Sequence, residues 1–146
     1  MEKAKAEDRK THKVVLGTIG ADAHVVGIYI LRRALEEEGF EVVYLGSVVS
    51  QEEFIGAAIE TKADAIWVSS LYGMALLDAE GFRDKCTEAG LKDIILYIGG
   101  ILTPTGEDWE WTEKQFKKMG FNRVYPPETL PSVPITDLKK DLGISG

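Results

Sequence analysis

The chain has 146 residues, 45% of them hydrophobic, enough to bury one core and too few for two full domains. A formal net charge of -7, with Lys and Arg interspersed among acids, excludes a nucleic-acid surface, which needs clustered basic residues. Cys86 is the only cysteine, which excludes an intrachain disulfide and points to a reduced, cytoplasmic setting. No stretch approaches the ~20 apolar residues of a membrane span.

Residues 1–12 are polar and charged, unlike a secretory signal, and read as an extension before a single domain over 13–146. The run 14–19 is β-branched and aliphatic and predicts a first strand, followed over 24–38 by apolar residues at three- and four-residue intervals that predict a helix. Strand 41–45 and helix 51–61 come next, with Ser50 and Glu53 spaced as a capping box. Strand 65–69 precedes a helix over 79–89, in which Cys86 reads as a partly buried structural thiol. Strand 94–98, helix 109–119, strand 123–125 and a last helix over 135–142 complete the chain. Gly39, Gly90 and Gly120 follow their helices as C-terminal caps do. Trp109 reads as helical packing and Trp111 as a surface contact.

Five strands alternating with helices predict an α/β fold, a doubly wound parallel sheet with helices on both faces, because crossovers are nearly always right-handed. The expected strand order is 2-1-3-4-5. In such sheets ligands bind beyond the carboxyl ends of the strands, at the switch point between the first and third. That directs attention to residues 17–27, 69–75, 99–106 and 126–134.

The loop after the first strand carries the most informative chemistry. It lacks the Gly-x-Gly-x-x-Gly of a dinucleotide site and the Gly-Lys-Ser/Thr of a triphosphate loop. It contains instead Asp22-x-His24-x-x-Gly27, with His24 opening the first helix at the binding edge. A metal-binding imidazole commonly donates its second ring N–H to a carboxylate, and Asp22 is placed for that. Gly27 would leave room for a large planar ligand. On spacing alone, His24 also reads as a helix-start residue, Asp22 as an N-terminal cap and Gly27 as a helix-packing contact.

Taken together, Asp22-x-His24-x-x-Gly27, Ser69-x-Leu71 and Gly99-Gly100 resemble the three-part signature of the cobalamin-binding domains of methionine synthase, methylmalonyl-CoA mutase and glutamate mutase, domains of flavodoxin-like fold. The resemblance runs from Lys13 to Leu142 and is closest to the small subunits of glutamate mutase (methylaspartate mutase). It implies an adenosylcobalamin cofactor with His24 as axial cobalt ligand and Asp22 as the carboxylate behind it. Ser69 would hydrogen-bond the displaced base and Leu71 would pack near the corrin. Gly27, Gly99, Gly100 and, less securely matched, Thr129 would border the nucleotide slot. Pro127-Glu128-Thr129 departs from the family's frequent Pro-Gly-Thr, putting a carboxylate where it would crowd the slot's end, and residues 101–105 are also less typical. Tyr72 and Met74 lie beside the Ser69-x-Leu71 turn, within reach of corrin or partner.

The implied activity is an isomerase, a carbon-skeleton mutase interconverting L-glutamate and threo-3-methylaspartate. It would work only with a large barrel-type subunit that binds the substrate, as a heterotetramer of two small and two large subunits. No residue of this chain is expected to act directly on substrate. A corrinoid methyl-carrier protein of a methyltransferase system is the alternative within the same signature, although such carriers usually add a helical bundle before the first strand. A non-enzymatic module on the same fold, a receiver or a flavodoxin, fits less well. A receiver wants Asp and Lys where Ser69 and Tyr125 stand, and a flavodoxin wants a hydroxyl-rich loop where Ala21, Asp22 and Ala23 stand.

Overall fold

The computed structural model describes residues 11–21, 26–103 and 108–144. In chain order the elements are β1 (Lys13–Ile19), α1 (Val26–Glu37), β2 (Glu41–Val49), α2 (Gln51–Thr61), β3 (Ala65–Ser70), α3 (Ala75–Asp78), α4 (Phe82–Glu88), β4 (Ile95–Gly100), α5 (Trp109–Lys118), β5 (Arg123–Tyr125) and α6 (Ser132–Leu142). The strands form one parallel sheet in the order β2-β1-β3-β4-β5, as the alternation predicts.

Strand side chains alternate between faces, so each strand feeds two cores. Val15, Ile66, Leu96 and Val124 pack with Phe54, Phe82 and Phe116 of α2, α4 and α5. Val14, Leu16, Trp67 and Tyr97 pack with Ile28 and Leu35 of α1 and with Ile135 and Leu138 of α6. Cys86 is fully buried in the first of these cores, and burial pushes its thiol up, which suits a structural role.

Start and stop signals act where the sequence places them. Ser50 and Glu53 form a reciprocal capping box at α2, and Asp108 caps α5 by accepting from Trp111 N at 3.1 Å. Several boundaries differ from the periodicity. The helix expected over 79–89 begins only at Phe82, after Gly81 at φ 76, and a separate one-turn helix, α3, stands before it at Ala75–Asp78, where none was expected. The second strand does not stop before Gly46 but continues to Val49 through a register shift against β1. The last helix begins at Ser132, three residues earlier than expected, since Pro134 falls in its first turn, where no intrahelical N–H is required. The fourth strand begins one residue later than expected, at Ile95, and runs on through Gly99 and Gly100, which lie in the ladder opposite Ser69 and Ser70 and not in a turn.

Candidate functional site

The parallel register lines side chains up in rows. Leu16, Trp67, Tyr97 and Arg123 are successive partners across β1, β3, β4 and β5, and two residues on so are Thr18, Ser69, Gly99 and Tyr125. Residues two apart share a face, so both rows look toward α1 and α6. In the inner row the Trp67 and Tyr97 rings stack, with centroids 5.5 Å apart and an interplanar angle of 22°. Tyr125 meets Tyr97 edge-on at 5.7 Å.

Over these rows lies a cavity of about 580 Å³, within the usual range for small-molecule sites. Gly27, Ile30 and Leu31, one helical turn of α1, line it opposite the sheet, and the segment from Pro126 to Pro131 lines it beyond β5. The lining is overwhelmingly apolar, and its floor residue Trp67 has a buried indole N–H with no acceptor among the described residues. Six of the expected site residues, Gly27, Ser69, Leu71, Gly99, Gly100 and Thr129, border this one cavity. The other two, Asp22 and His24, lie outside the described residues.

The glycines have distinct physical reasons. A Cβ on Gly27 would meet no atom of the described residues within 4 Å, so none of them demands glycine there. Gly99 stands between Ser69 and Tyr125 in the outer row, where a Cβ would come within 3.2 Å of Tyr125 Cβ. Gly100, at φ 118, is required by its neighbours: a Cβ would overlap the Ser70 carbonyl oxygen and lie 2.9 Å from Leu71 Cδ2. Its absent side chain thus serves the approach of β4 to the end of β3.

The turn after β5 puts Glu128 on the lining of the cavity. Glu128 is exposed and has φ 67, the left-handed backbone region that glycine occupies at least cost. A glycine preference at this position therefore has a backbone cause. Thr129 Oγ1 donates to the Pro126 carbonyl at 2.7 Å and closes the turn.

Several site features escaped the motif-based reading. Trp67 and Tyr97 form the cavity floor, and period two places them one step below Ser69 and Gly99. Their support comes from α6: the Tyr97 hydroxyl donates to Asp141 at 2.5 Å, and the Tyr125 hydroxyl donates to Asp137 at 2.7 Å. Arg123 completes the group with two donations to Asp141, at 2.8 and 2.9 Å. The guanidinium holds the Asp141 carboxyl below its ordinary range, while burial, with the aspartate bonds adding to it, pushes both phenols well above theirs. The tyrosines therefore stay neutral donors. Tyr72, expected within reach of corrin or partner, has its hydroxyl on Ala21 N at 3.1 Å, and Met74 is half-exposed beside it.

Comparison with known proteins narrows the reading. Residues 12–117 match the B12 binding domain family. The chain is 54% identical over 132 residues to the glutamate mutase sigma subunit of Fusobacterium nucleatum, covering 90% of this chain and 97% of that one. It is also 54% identical over 137 residues to the glutamate mutase sigma subunit of Clostridium cochlearium, covering 94% and 98% respectively. A crystal structure of a cobalamin-binding protein from Desulfitobacterium hafniense superposes with a TM-score of 0.73 at 24% identity, over 93% of this chain and 64% of that one, a likeness of fold. Sheet order, an apolar cavity at the switch point and these matches agree: the chain belongs to the B12-binding domain family, among the glutamate mutase sigma subunits.

Proposed function

We propose that this protein is the cobalamin-holding subunit of an adenosylcobalamin-dependent glutamate mutase, interconverting L-glutamate and threo-3-methylaspartate together with a larger, barrel-type subunit. The observation that carries the reading is the apolar cavity lined by Leu16 of β1, Gly27 of α1 and the carboxyl ends of β3 and β4, with the Asp22-x-His24 motif falling in the sequence between β1 and α1. A heterotetramer of two small and two large subunits in the cytoplasm is the assembly we infer. No helix among the described residues is long and apolar enough to cross a membrane.

The residues present fit the cofactor. An elongated heteroaromatic tail needs an apolar slot with little competing charge, and the cavity has an aromatic floor with few polar groups on its walls. Gly27 leaves its side of the slot clear. Ser69 supplies a hydroxyl for a base nitrogen, Leu71 an apolar contact for the corrin, and Gly99 and Gly100 a wall of bare backbone. Thr129 belongs to the turn at the far end.

His24 would hold the cobalt, with Asp22 accepting from the other ring N–H of its imidazole and so raising its basicity. The chain has one other histidine, His12, immediately before β1. Its carbonyl accepts from Glu41 N at the amino ends of β1 and β2, roughly 20 Å of strand away from the cavity edge. His24 follows the carboxyl end of the same strand.

When bound, the cofactor supplies radical chemistry through homolysis of its cobalt–carbon bond. The chain's own residues place the metal, hold the tail in an apolar slot and keep water from it; none is assigned a proton transfer on substrate. The exposed edge is then completed by the larger subunit, which excludes solvent from the reacting centre.

The test is electron paramagnetic resonance of the protein incubated with cob(II)alamin and gel-filtered. Retained corrin with nitrogen superhyperfine coupling that responds to isotopic labelling of histidine, and that His24→Ala abolishes, is the expected result. Coupling unchanged in His24→Ala would overturn the axial assignment. Turnover of L-glutamate is expected only when the large subunit is added with adenosylcobalamin; robust turnover by this chain alone would refute the division of labour.

A further inference from the structure

Tyr72 and Asp78 stand outside the cofactor-binding set assigned above, yet their contacts converge on the stem of the first loop. The Tyr72 hydroxyl accepts from Ala21 N at 3.1 Å and donates to Asp78 Oδ2 in a short hydrogen bond. Gly20, at φ 75, lies against the same pair: a Cβ there would fall 2.6 Å from the Tyr72 oxygen and overlap the Asp78 carboxylate. Glycine at position 20 suits the positive φ there and lets the stem lie against the tyrosine–aspartate pair without displacing it.

The pair is itself braced. Gly73 N donates to the Ile101 carbonyl at 3.0 Å and Ala75 N to the Leu102 carbonyl at 3.2 Å, tying the Tyr72 segment to the chain after β4. Gln51 Nε2 donates to the Asp78 and Glu80 carbonyls at 2.7 and 2.9 Å, fixing the end of α3 to α2. On its other side the stem is held by Gly20 N donating to the Val49 carbonyl at 2.9 Å. The stem is pinned between β2 and Tyr72, and only the second pin is a side chain.

We propose that Tyr72, oriented by Asp78, is a positioning residue for the axial ligand. By fixing Ala21 N it sets the starting point of Asp22-x-His24. Position 24 follows that anchor by only three residues of chain. Holding the stem in the free protein lowers the ordering cost of presenting His24 to a corrin, which is how preorganisation raises affinity. Supporting groups of this kind typically carry about 10- to 100-fold in metal-centre affinity. Asp78 accepts the phenol's hydrogen bond, leaving the oxygen's lone pairs toward the Ala21 amide. Neither residue is assigned a contact with corrin or substrate.

The inference rests on the cobalamin reading and is tested on the full-length chain with cob(II)alamin. Wild type, Asp78→Asn and Tyr72→Phe are compared for dissociation constant, for the fraction of bound cobalt showing histidine superhyperfine coupling, and for melting temperature without corrin. Asparagine still offers the phenol an oxygen, whereas phenylalanine removes both hydrogen bonds. The expected order of affinity and histidine-ligated fraction is wild type, then Asp78→Asn, then Tyr72→Phe, the last weaker by about 10- to 100-fold, while all three melt cooperatively. Equal affinity and equal coupling in wild type and Tyr72→Phe would overturn the positioning role alone. Losses that only track the fraction of unfolded protein would overturn it too. A wild type that retains no corrin, alone or with the large subunit, would instead bring down the cobalamin reading on which it rests.

Discussion

The two faces of the sheet solve opposite problems. On the α2/α4/α5 face, Phe54, Phe82, Phe116 and Phe121 close the space by ring-on-ring contact, with neighbouring centroids 5.8 to 6.1 Å apart. On the α1/α6 face the same sheet carries a cavity of about 580 Å³, and α6 is attached by Tyr97–Asp141, Tyr125–Asp137 and the Arg123 bridge. Interdigitated apolar side chains stabilise a face by eliminating its voids, so they cannot by themselves preserve a slot. Directional hydrogen bonds reaching from the strands to α6 hold the helix without filling the space beside it.

The largest expected effect comes from the packed face. Phe82 is fully buried between Phe54 and Phe121, so Phe82→Ala should cost about 3–5 kcal/mol in denaturant-induced unfolding. A loss below about 1.5 kcal/mol would mean that this face is not close-packed in solution.

On the slot face, Asp141→Ala removes the acceptor of the Tyr97 hydroxyl and of the Arg123 guanidinium and should cost about 1–3 kcal/mol. The same group gives the contrast a pH dependence. The folded-state pKa of Asp141 is depressed, chiefly by its hydrogen bonds from Arg123. Its contribution is therefore fully present above the unfolded carboxylate range, about 4, and is lost as pH falls through the lower folded value. The melting-temperature difference between wild type and Asp141→Asn should accordingly shrink on acidification from pH 7 toward 3. A difference that stays constant over that range would sever the ion pair from the stability of this face.

The smallest effect on stability, and the sharpest separation of folding from binding, is expected at Gly27. A Cβ there meets nothing among the described residues within 4 Å, and Gly27 lines the slot. Gly27→Ala should leave stability unchanged or raise it by up to about 0.8 kcal/mol through helix propensity, while lowering corrin retention. Destabilisation without loss of corrin would assign Gly27 to helix packing.

Much of this protein was legible without coordinates because its information is local or periodic. Apolar spacing set the strands and helices, Ser50 and Glu53 marked the start of α2, and strict alternation with right-handed crossovers left a parallel sheet with one natural switch point. The Asp22-x-His24-x-x-Gly27, Ser69-x-Leu71 and Gly99-Gly100 motifs pointed to the loops at that edge, and six of the eight expected residues border one cavity. What stayed hidden depends on pairing between distant segments. That Trp67 stacks on Tyr97 follows from the β3–β4 register. That Gly100 is needed by the Ser70 backbone, and that Gly20 lies against Tyr72 and Asp78, follows from close approaches between separate chain segments. That Glu128 occupies a left-handed turn follows from how the chain leaves β5 to enter α6. Residue types and spacings report what a segment can do by itself; which backbone it touches is decided only when the sheet assembles and each side chain meets its neighbours across it.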